Sequence, residues 1–322
     1  MNMKYVGCLA LLLASHSSWA EVDWVSLIWH NDLFAGKDGG GYTNGAYVSW
    51  YDVSNEGEKA SGPPLLTRPL VWMLTDDPEF TVAEYTLGQT MITPKDISKP
   101  HPDPNDSPYA GLLFLRTAFT SVHENYADTI STTIGIVGPA SGAENTQKMI
   151  HKMTGSTRPQ GWDYQLKNEP VARLTRARVW RIADPNQPYV DAVFLGNLNV
   201  GNMESSVGTG VLFRVGTGLE KSFASAAQIT GRINNPVAVD GGRYTYLGIT
   251  LSYVHNQIFV NGNTFRSSPA GDLRHEQYSL IAGFAYSWSN FNLGLGYQNG
   301  SSLDRHSTSR ESFGAVTLGM RL

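Results

Sequence analysis

The segment Gln277–Gln298, QYSLIAGFAYSW then SN then FNLGLGYQ, decides the fold. In its first half Tyr278, Leu280, Ala282, Phe284, Tyr286 and Trp288 are apolar or aromatic, while Gln277, Ser279, Gly283, Ala285 and Ser287 between them are small or polar. A period of two means strand. After the two-residue turn Ser289-Asn290 the alternation resumes, with Phe291, Leu293, Leu295 and Tyr297 against Asn292, Gly294, Gly296 and Gln298, which makes a hairpin. The chain end repeats it, with Val316, Leu318, Met320 and Leu322 against Ala315, Thr317, Gly319 and Arg321. A soluble β-sandwich buries its apolar face and gives water a charged one. Here the second face is mostly Gly, Ser, Thr, Asn and Gln, as suits the lumen of a barrel whose apolar face meets lipid.

Working outward, the pattern predicts strands at Trp24–His30, Tyr42–Asp52, Glu84–Thr93, Tyr109–Val122, Tyr126–Gly138, Val171–Ile182, Tyr189–Gly201, Val207–Leu219, Arg243–His255, His275–Ser289, Phe291–Asn299 and Ser312–Leu322. An even number of strands of about 10 residues each is the profile of a closed antiparallel transmembrane β-barrel. A secreted soluble β-protein is the competing reading, because the signal carried by each strand is weak.

Composition agrees. Of 322 residues 41% are hydrophobic and only 16% are charged, against roughly 25% charged in ordinary soluble domains, and the mean hydropathy is -0.24. This excludes a bundle of apolar helices and a disordered chain. A net charge of -4 offers no basic footprint for nucleic acid. The first 20 residues read as a secretory signal peptide: Lys4, an apolar core from Tyr5 to Ala14, and the small pair Ser18 and Ala20 before a cleavage point. The single cysteine, Cys8, lies inside that apolar core, which argues against a lipoprotein anchor. The expected organisation is therefore a leader over 1–20 and one barrel over 21–322, in a bacterial outer membrane.

With both termini periplasmic, the turns after strands 4, 6 and 10 are short, as periplasmic turns should be. Val53–Ala83 and Glu220–Gly242 fall on the same side and are long; short helices or extended strands would account for them. One helix is expected in an exterior loop. Ser141 and Glu144 have capping-box spacing, the run to Thr154 has no breaker, and Gly155 follows as a stop, giving a helix over about 142–154. Glu144, Gln147 and His151 share one face. Met149, Ile150 and Met153 form another, expected to rest on the barrel rim.

A second polar group lies at the first exterior loop. Strand 1 ends in His30-Asn31-Asp32, a glycine-rich loop follows (Lys37 to Gly41), and strand 2 begins Tyr42-Thr43-Asn44-Gly45. Alternation gives Thr43 the lumen parity of Gly45 and Tyr47. It cannot turn both Asn31 and Asp32 inward without a kink or bulge. Acid, amide, hydroxyl and imidazole at one rim are the constituents of a hydrolytic site. Asn-Asp before glycines is also ordinary turn chemistry, and Thr is an ordinary strand residue. Residue types alone leave both readings open.

At these residues the chain resembles the outer-membrane lipid A 3'-O-deacylase family. The resemblance runs through Asn31-Asp32-Leu33-Phe34, Asp38, Tyr42-Thr43-Asn44-Gly45, Asp106-Ser107-Pro108-Tyr109-Ala110-Gly111, Gly135, Val137-Gly138-Pro139, Gln147, His151, Gly155, Pro159, Gly161-Trp162-Asp163, Gln165-Leu166, and Arg178, Trp180 and Arg181. The second half matches only as strands. The resemblance implies a twelve-stranded barrel and a calcium-dependent site between the wall and a loop helix, facing the cell exterior. It implies hydrolysis of the 3'-linked acyloxyacyl ester of lipid A. His151 matches the general base, and Asn31, Asp32 and Thr43 match positions around the Ca2+ and the ester carbonyl. Asp32 and Glu144 are the candidate metal ligands. Lys95, Lys99 and Arg158, on exterior loops, are candidates for lipid A phosphates. The sequence departs from the family at Thr157, where relatives can carry an acid six residues after the histidine. The expected partners are lipopolysaccharide and the membrane, with the protein a monomer. A non-catalytic barrel, porin-like or a degenerate relative, and an outer-membrane phospholipase are the alternatives.

Overall fold

A strand exposes a row of unpaired N–H and C=O groups on each edge, and lipid offers them no partner. The chain meets this constraint by closure. In the computed structural model twelve antiparallel strands form one closed barrel: β1 (Trp24–Asn31), β2 (Gly41–Ser54), β3 (Phe80–Thr93), β4 (Ala110–Val122), β5 (Tyr126–Val137), β6 (Glu169–Ala183), β7 (Val190–Val200), β8 (Glu204–Thr217), β9 (Arg243–Gln257), β10 (Glu276–Trp288), β11 (Phe291–Gly300) and β12 (Glu311–Arg321). Each strand pairs with its sequence neighbours, and β1 closes on β12 from Trp24↔Arg321 to Asn31↔Gly314. The structure describes residues 22–35, 41–54, 62–104, 106–231, 241–306 and 310–322. The leader and loop positions 36–40 lie outside the described residues.

The expected parity holds around the wall. Leu27, Leu87, Leu113, Phe194, Phe213, Leu247, Leu280, Leu295 and Leu318 are exposed on the outer face, where lipid replaces water. The alternate positions face a polar lumen, where Arg116 Nη1 pairs with Glu84 Oε1 at 2.5 Å. Several strands are longer than their periodicity implied. β3 starts at Phe80, not Glu84, and β8 starts at Glu204 and ends at Thr217, so Leu219 belongs to the following helix.

The two long segments at the end carrying the termini take opposite destinations. Residues 62–79 fold back onto the outer wall. A 3-10 turn, Arg68–Met73, buries Leu70 against Ala83, Phe119 and Ile130, and Thr132 Oγ1 donates to the Leu66 carbonyl at 2.8 Å. The other segment enters the lumen. A short helical turn, Leu219–Ser222, leads into the 3-10 run Phe223–Gly231. Its Leu219, Phe223, Ala226 and Ala227 pack among the lumen side chains Val179, Val193, Leu212, Tyr246 and Ala285.

Arg214 ties this plug to the wall. Its Nε and Nη2 donate to the two Asp191 carboxylate oxygens at 2.8 and 2.6 Å. Nη1 donates to Ser222 Oγ at 3.1 Å, and Nη2 also to the Leu219 carbonyl at 2.7 Å. Arg181 Nε donates to Asp191 Oδ2 at 2.7 Å, so one buried acid holds two cations. Breaking a buried pair from one side leaves an uncompensated charge, which costs about 3–5 kcal/mol. Arg214→Met is therefore expected to lower the unfolding free energy by about 3 kcal/mol, read as an earlier urea midpoint, and to raise single-channel conductance above that of the wild type in planar bilayers.

Candidate active site

The site begins with an outward-facing row at the rim far from the termini. In register, Asn31 opposes Asn44, Asn44 opposes Met91, and Met91 opposes Gly111. All four share the parity of the exposed outer-face residues Leu27, Val48, Leu87 and Leu113. Strands lie about 4.8 Å apart, so the row spans roughly 14 Å from Asn31 to Gly111.

Thr43 joins this row through a bulge, which corrects its expected lumen parity. The pairing steps from Tyr42↔Ile92 to Asn44↔Met91, leaving Thr43 as the extra residue. One inserted residue reverses the alternation above it. Tyr42 consequently turns into the lumen, bonded to Tyr47 and accepting or donating at 3.2 Å with His30 Nδ1. Thr43 turns outward, its hydroxyl 2.7 Å from Thr93 Oγ1. Glu311 of β12 steadies the strand end by accepting the Tyr42 N–H at 3.1 Å. The kink expected after Asn31 is also present. The chain leaves β1 in a 3-10 turn, Asp32–Ala35, with Asp32 buried and Phe34 lying on Gly314 of β12.

The rim helix α1 spans Ala143–Thr154. It ends as expected at Gly155, φ 71, but Ser141 is not its cap. Ser141 belongs to a preceding 3-10 turn, Pro139–Ser141, and the N-cap is Gly142 in the left-handed region, φ 73. The chain must double back from β5 onto the wall before the helix can start, and glycine permits that turn. Glu144 consequently does not complete a capping box and pairs with Lys148 on the next turn.

The helix rests on the wall by a different face from the one expected. Met149 and Met153 are exposed, 57% and 78%. The buried face is Ala143 and Gln147. Ala143 clusters with Met91, Ile97, Tyr109 and Trp162, and Gln89 Nε2 donates to the Ser141 carbonyl at 2.7 Å. Gln147 Oε1 accepts the indole N–H of Trp162 at 2.7 Å. Burial pushes the Tyr109 phenol up to about 12, so it stays a donor, to the Ile97 carbonyl at 3.3 Å. Polar anchoring by Gln147 outweighs the apolar stripe that periodicity alone picks out.

His151 stands eight residues along α1 from Ala143, about 12 Å by helical rise. Its Nδ1 is 2.6 Å from the Thr157 carbonyl oxygen. A carbonyl only accepts, so Nδ1 carries the proton and Nε2 presents its lone pair. Position 157 thus orients the imidazole through its backbone, whatever its side chain. Of the remaining candidates, Lys95 and Arg158 are exposed, and Lys99 lies 3.5 Å from Asp96. Hydrogen bonds from Ser98 hold the Asp96 carboxyl below its usual range.

Among the described residues no group of three or more His, Cys, Asp and Glu stands together to hold a metal. The donors along the rim are instead one buried carboxylate, Asp32, with the amides of Asn31 and Asn44 and the hydroxyls of Thr43 and Thr93. These are hard, mostly neutral oxygens, a set that fits Ca2+ and not a softer metal. Glu144, the other candidate ligand, pairs with Lys148 one turn along the helix.

Asn44, Thr93 and Trp162 lie at this rim although periodicity did not single them out. Gln147, placed by periodicity on one helix face with Glu144 and His151, has its Nε2 buried with no hydrogen-bond partner among the described residues.

The family described as Outer membrane protein LpxR matches residues 6–322. Among solved structures, LpxR from Salmonella typhimurium is similar with a TM-score of 0.74 and 16% identity, covering 93% of this chain and 100% of that one. The translocator domain of the autotransporter NalP from Neisseria meningitidis has a TM-score of 0.44 and 10% identity over 99% of this chain and 94% of its own. No curated protein matches by sequence.

Gly111 is the seat of the helix. A Cβ there would lie 2.3 Å from both Ala143 Cβ and Ser141 Oγ. Gly111→Leu is expected to lift α1 from the wall while the barrel stays closed, which limited trypsin digestion reports as faster cleavage at Lys148 and Lys152 with an unchanged heat-modifiable band.

Proposed function

Because the chain belongs to the LpxR family of outer membrane proteins, we propose that it is a calcium-dependent lipid A deacylase that hydrolyses the 3'-linked acyloxyacyl ester, its far rim turned to the cell exterior. One observation carries this reading: Asn31, Thr43 and Asn44 face the lipid side of the wall, not the lumen. A substrate reaching them comes laterally from the membrane. The filled lumen speaks against a porin.

The substrate's acyl chains lie along Leu27, Val48 and Leu87, and the exposed Met149 and Met153 add apolar cover from α1. Lys95, Lys99 and Arg158 supply positive charge for the lipid A phosphates above. The span from Gly111 to Asn31 and the length of α1 from Ala143 to His151 are similar, which lets the helix carry its imidazole toward the Asn31–Thr43 end.

His151 Nε2 takes a proton from water as the oxygen attacks the ester carbonyl. The tetrahedral adduct collapses, the C–O bond to the sugar breaks, and the proton held on Nε2 passes to the departing 3'-oxygen. The products are a free acyloxyacyl acid and a 3'-hydroxyl. Asn31 and Thr43 offer donors to the developing oxyanion. Asp32, Asn31 and Thr43 are the residues that would hold Ca2+, which when bound polarises an ester carbonyl. No covalent serine is needed, and Ser141 is buried beneath the helix.

Purified protein in mixed micelles with lipid A and Ca2+ is expected to release one acyloxyacyl group, seen by mass spectrometry, and to leave phospholipid intact. Unchanged lipid A would refute the deacylase, and phospholipid cleavage would indicate a phospholipase. A chelator is expected to abolish release. His151→Ala is expected to lower the rate by at least about 100-fold, whereas Thr157→Ala, which keeps the carbonyl that orients the ring, should stay within about threefold, a smaller loss than that of one general base.

A further inference from the structure

The lumen holds a chamber that neither the rim chemistry nor the plug uses. It has a volume of about 60 Å³ and lies against strands β7 to β11. Leu195, which packs with the plug residues, lines it on one side, and Val254, which packs with Val260, Leu273 and Leu303 of the far-rim loops, lines it on another. Ser206, Thr250, Ser252, Gln257, Ser279 and Gln298 contribute hydroxyls and amides. A chamber walled in this way suits a polar occupant, because genuinely dry cavities are apolar.

Gln257 is where hydrogen bonding inside the protein stops. A second bulge turns it inward: the pairing steps from Ser206↔Val254 to Ser205↔Asn256, leaving His255 as the extra residue. Gln257, opposite Glu204, therefore shares the lumen with Val254. It is 6% exposed, and its Oε1 has no hydrogen-bond partner among the described residues. Nearby polar groups are already engaged. Asn199 Nδ2 donates to Ser206 Oγ at 2.9 Å, Ser206 Oγ donates to Glu204 Oε1 at 2.7 Å, and Gln298 Nε2 donates to Ser279 Oγ at 2.8 Å. Buried acceptors in folded proteins are met by a donor, from the chain or from ordered water.

Charge and size select that donor. Among the described residues Glu204 is the one ionisable side chain lining the chamber, and Arg173 Nη1 donates to its carboxylate at 3.3 Å. The pair leaves no net charge to hold an ion. The Gln257 amide presents an oxygen and an NH2 group, and water can meet both, whereas a cation meets only the oxygen. Room of about 60 Å³ corresponds to roughly two waters, each taking about 30 Å³ in the liquid.

We propose that the chamber is a hydration site holding about two ordered waters, one of them hydrogen-bonded to the Gln257 amide. Its place in the fold gives it a task. The Gln257 N–H donates to Asn261 Oδ1 at 2.8 Å and so closes the helical turn Ile258–Asn261. Ile258 and Phe259 of that turn pack with Ile28, Tyr47 and Phe114 in the lumen. The waters therefore tie the base of the turn that stoppers the far end of the lumen to the wall beside it. Nothing in the site depends on ester cleavage at the rim.

A crystal structure of the full-length protein, at a resolution that shows ordered water, tests the site directly. Water density is expected within hydrogen-bond distance of the Gln257 amide and of at least one other polar side chain of the lining. No such density, or an ion or additive in its place, overturns the proposal. Gln257→Met, close in volume but without the amide, gives an independent reading by equilibrium unfolding in urea. With water on the amide, the variant gives up hydrogen bonds and its midpoint falls below that of the wild type. With no partner on the amide, the exchange removes a buried unmet group, so an unchanged or higher midpoint overturns the proposal. If the variant does not fold, the wild-type structure decides alone.

Discussion

Every backbone group of a strand in lipid must find its partner within the protein, and the β1–β12 pairing is where that requirement is met. The rest of the molecule depends on this closure. A closed wall has two faces and two ends and no free edge, so anything the chain adds must fold against the inside, against the outside, or over a rim. All three are used. The Phe223 run fills the lumen, residues 62–79 cover the outer wall near the termini, and α1 caps the outer wall at the far rim.

The rigid wall is also what gives the rim its geometry. α1 has 12 residues, a length that is marginal for an isolated helix in water. Its order comes from contact with β3 and β4: a glycine at 111 that admits Ala143, a glutamine at 89 that takes up the Ser141 carbonyl, and the Gln147–Trp162 hydrogen bond. His151 inherits its position from those contacts and its tautomer from the Thr157 carbonyl.

The strands were legible in the sequence because their signal is local. Alternation from Tyr278 to Tyr297 needs no knowledge of the partner strand, and the turn at Ser289-Asn290 is written in two residues. What escaped was what depends on partners. Thr43 reads as lumen-facing from its own strand, and only its pairing with β3 reveals the inserted residue that turns it outward. Met149 and Met153 form the more apolar stripe of α1, yet Gln147 faces the wall because Trp162, fifteen residues later in the chain, offers it an indole N–H. Ser141 and Glu144 have the spacing of a capping box, but the turn from β5 needs a left-handed residue at 142. The destinations of 62–79 and 218–231 carry no local signal, since short 3-10 turns with a few apolar residues fit either face.

Under the proposed function, the outward bulge at Thr43 has a kinetic consequence. A site on the lipid face meets its substrate by diffusion in two dimensions, so its saturation is set by the mole fraction of substrate in the leaflet and not by any aqueous concentration. Diluting that leaflet with an inert lipid slows such a protein even when the total substrate is constant. Enlarging the surrounding volume of water leaves it unaffected.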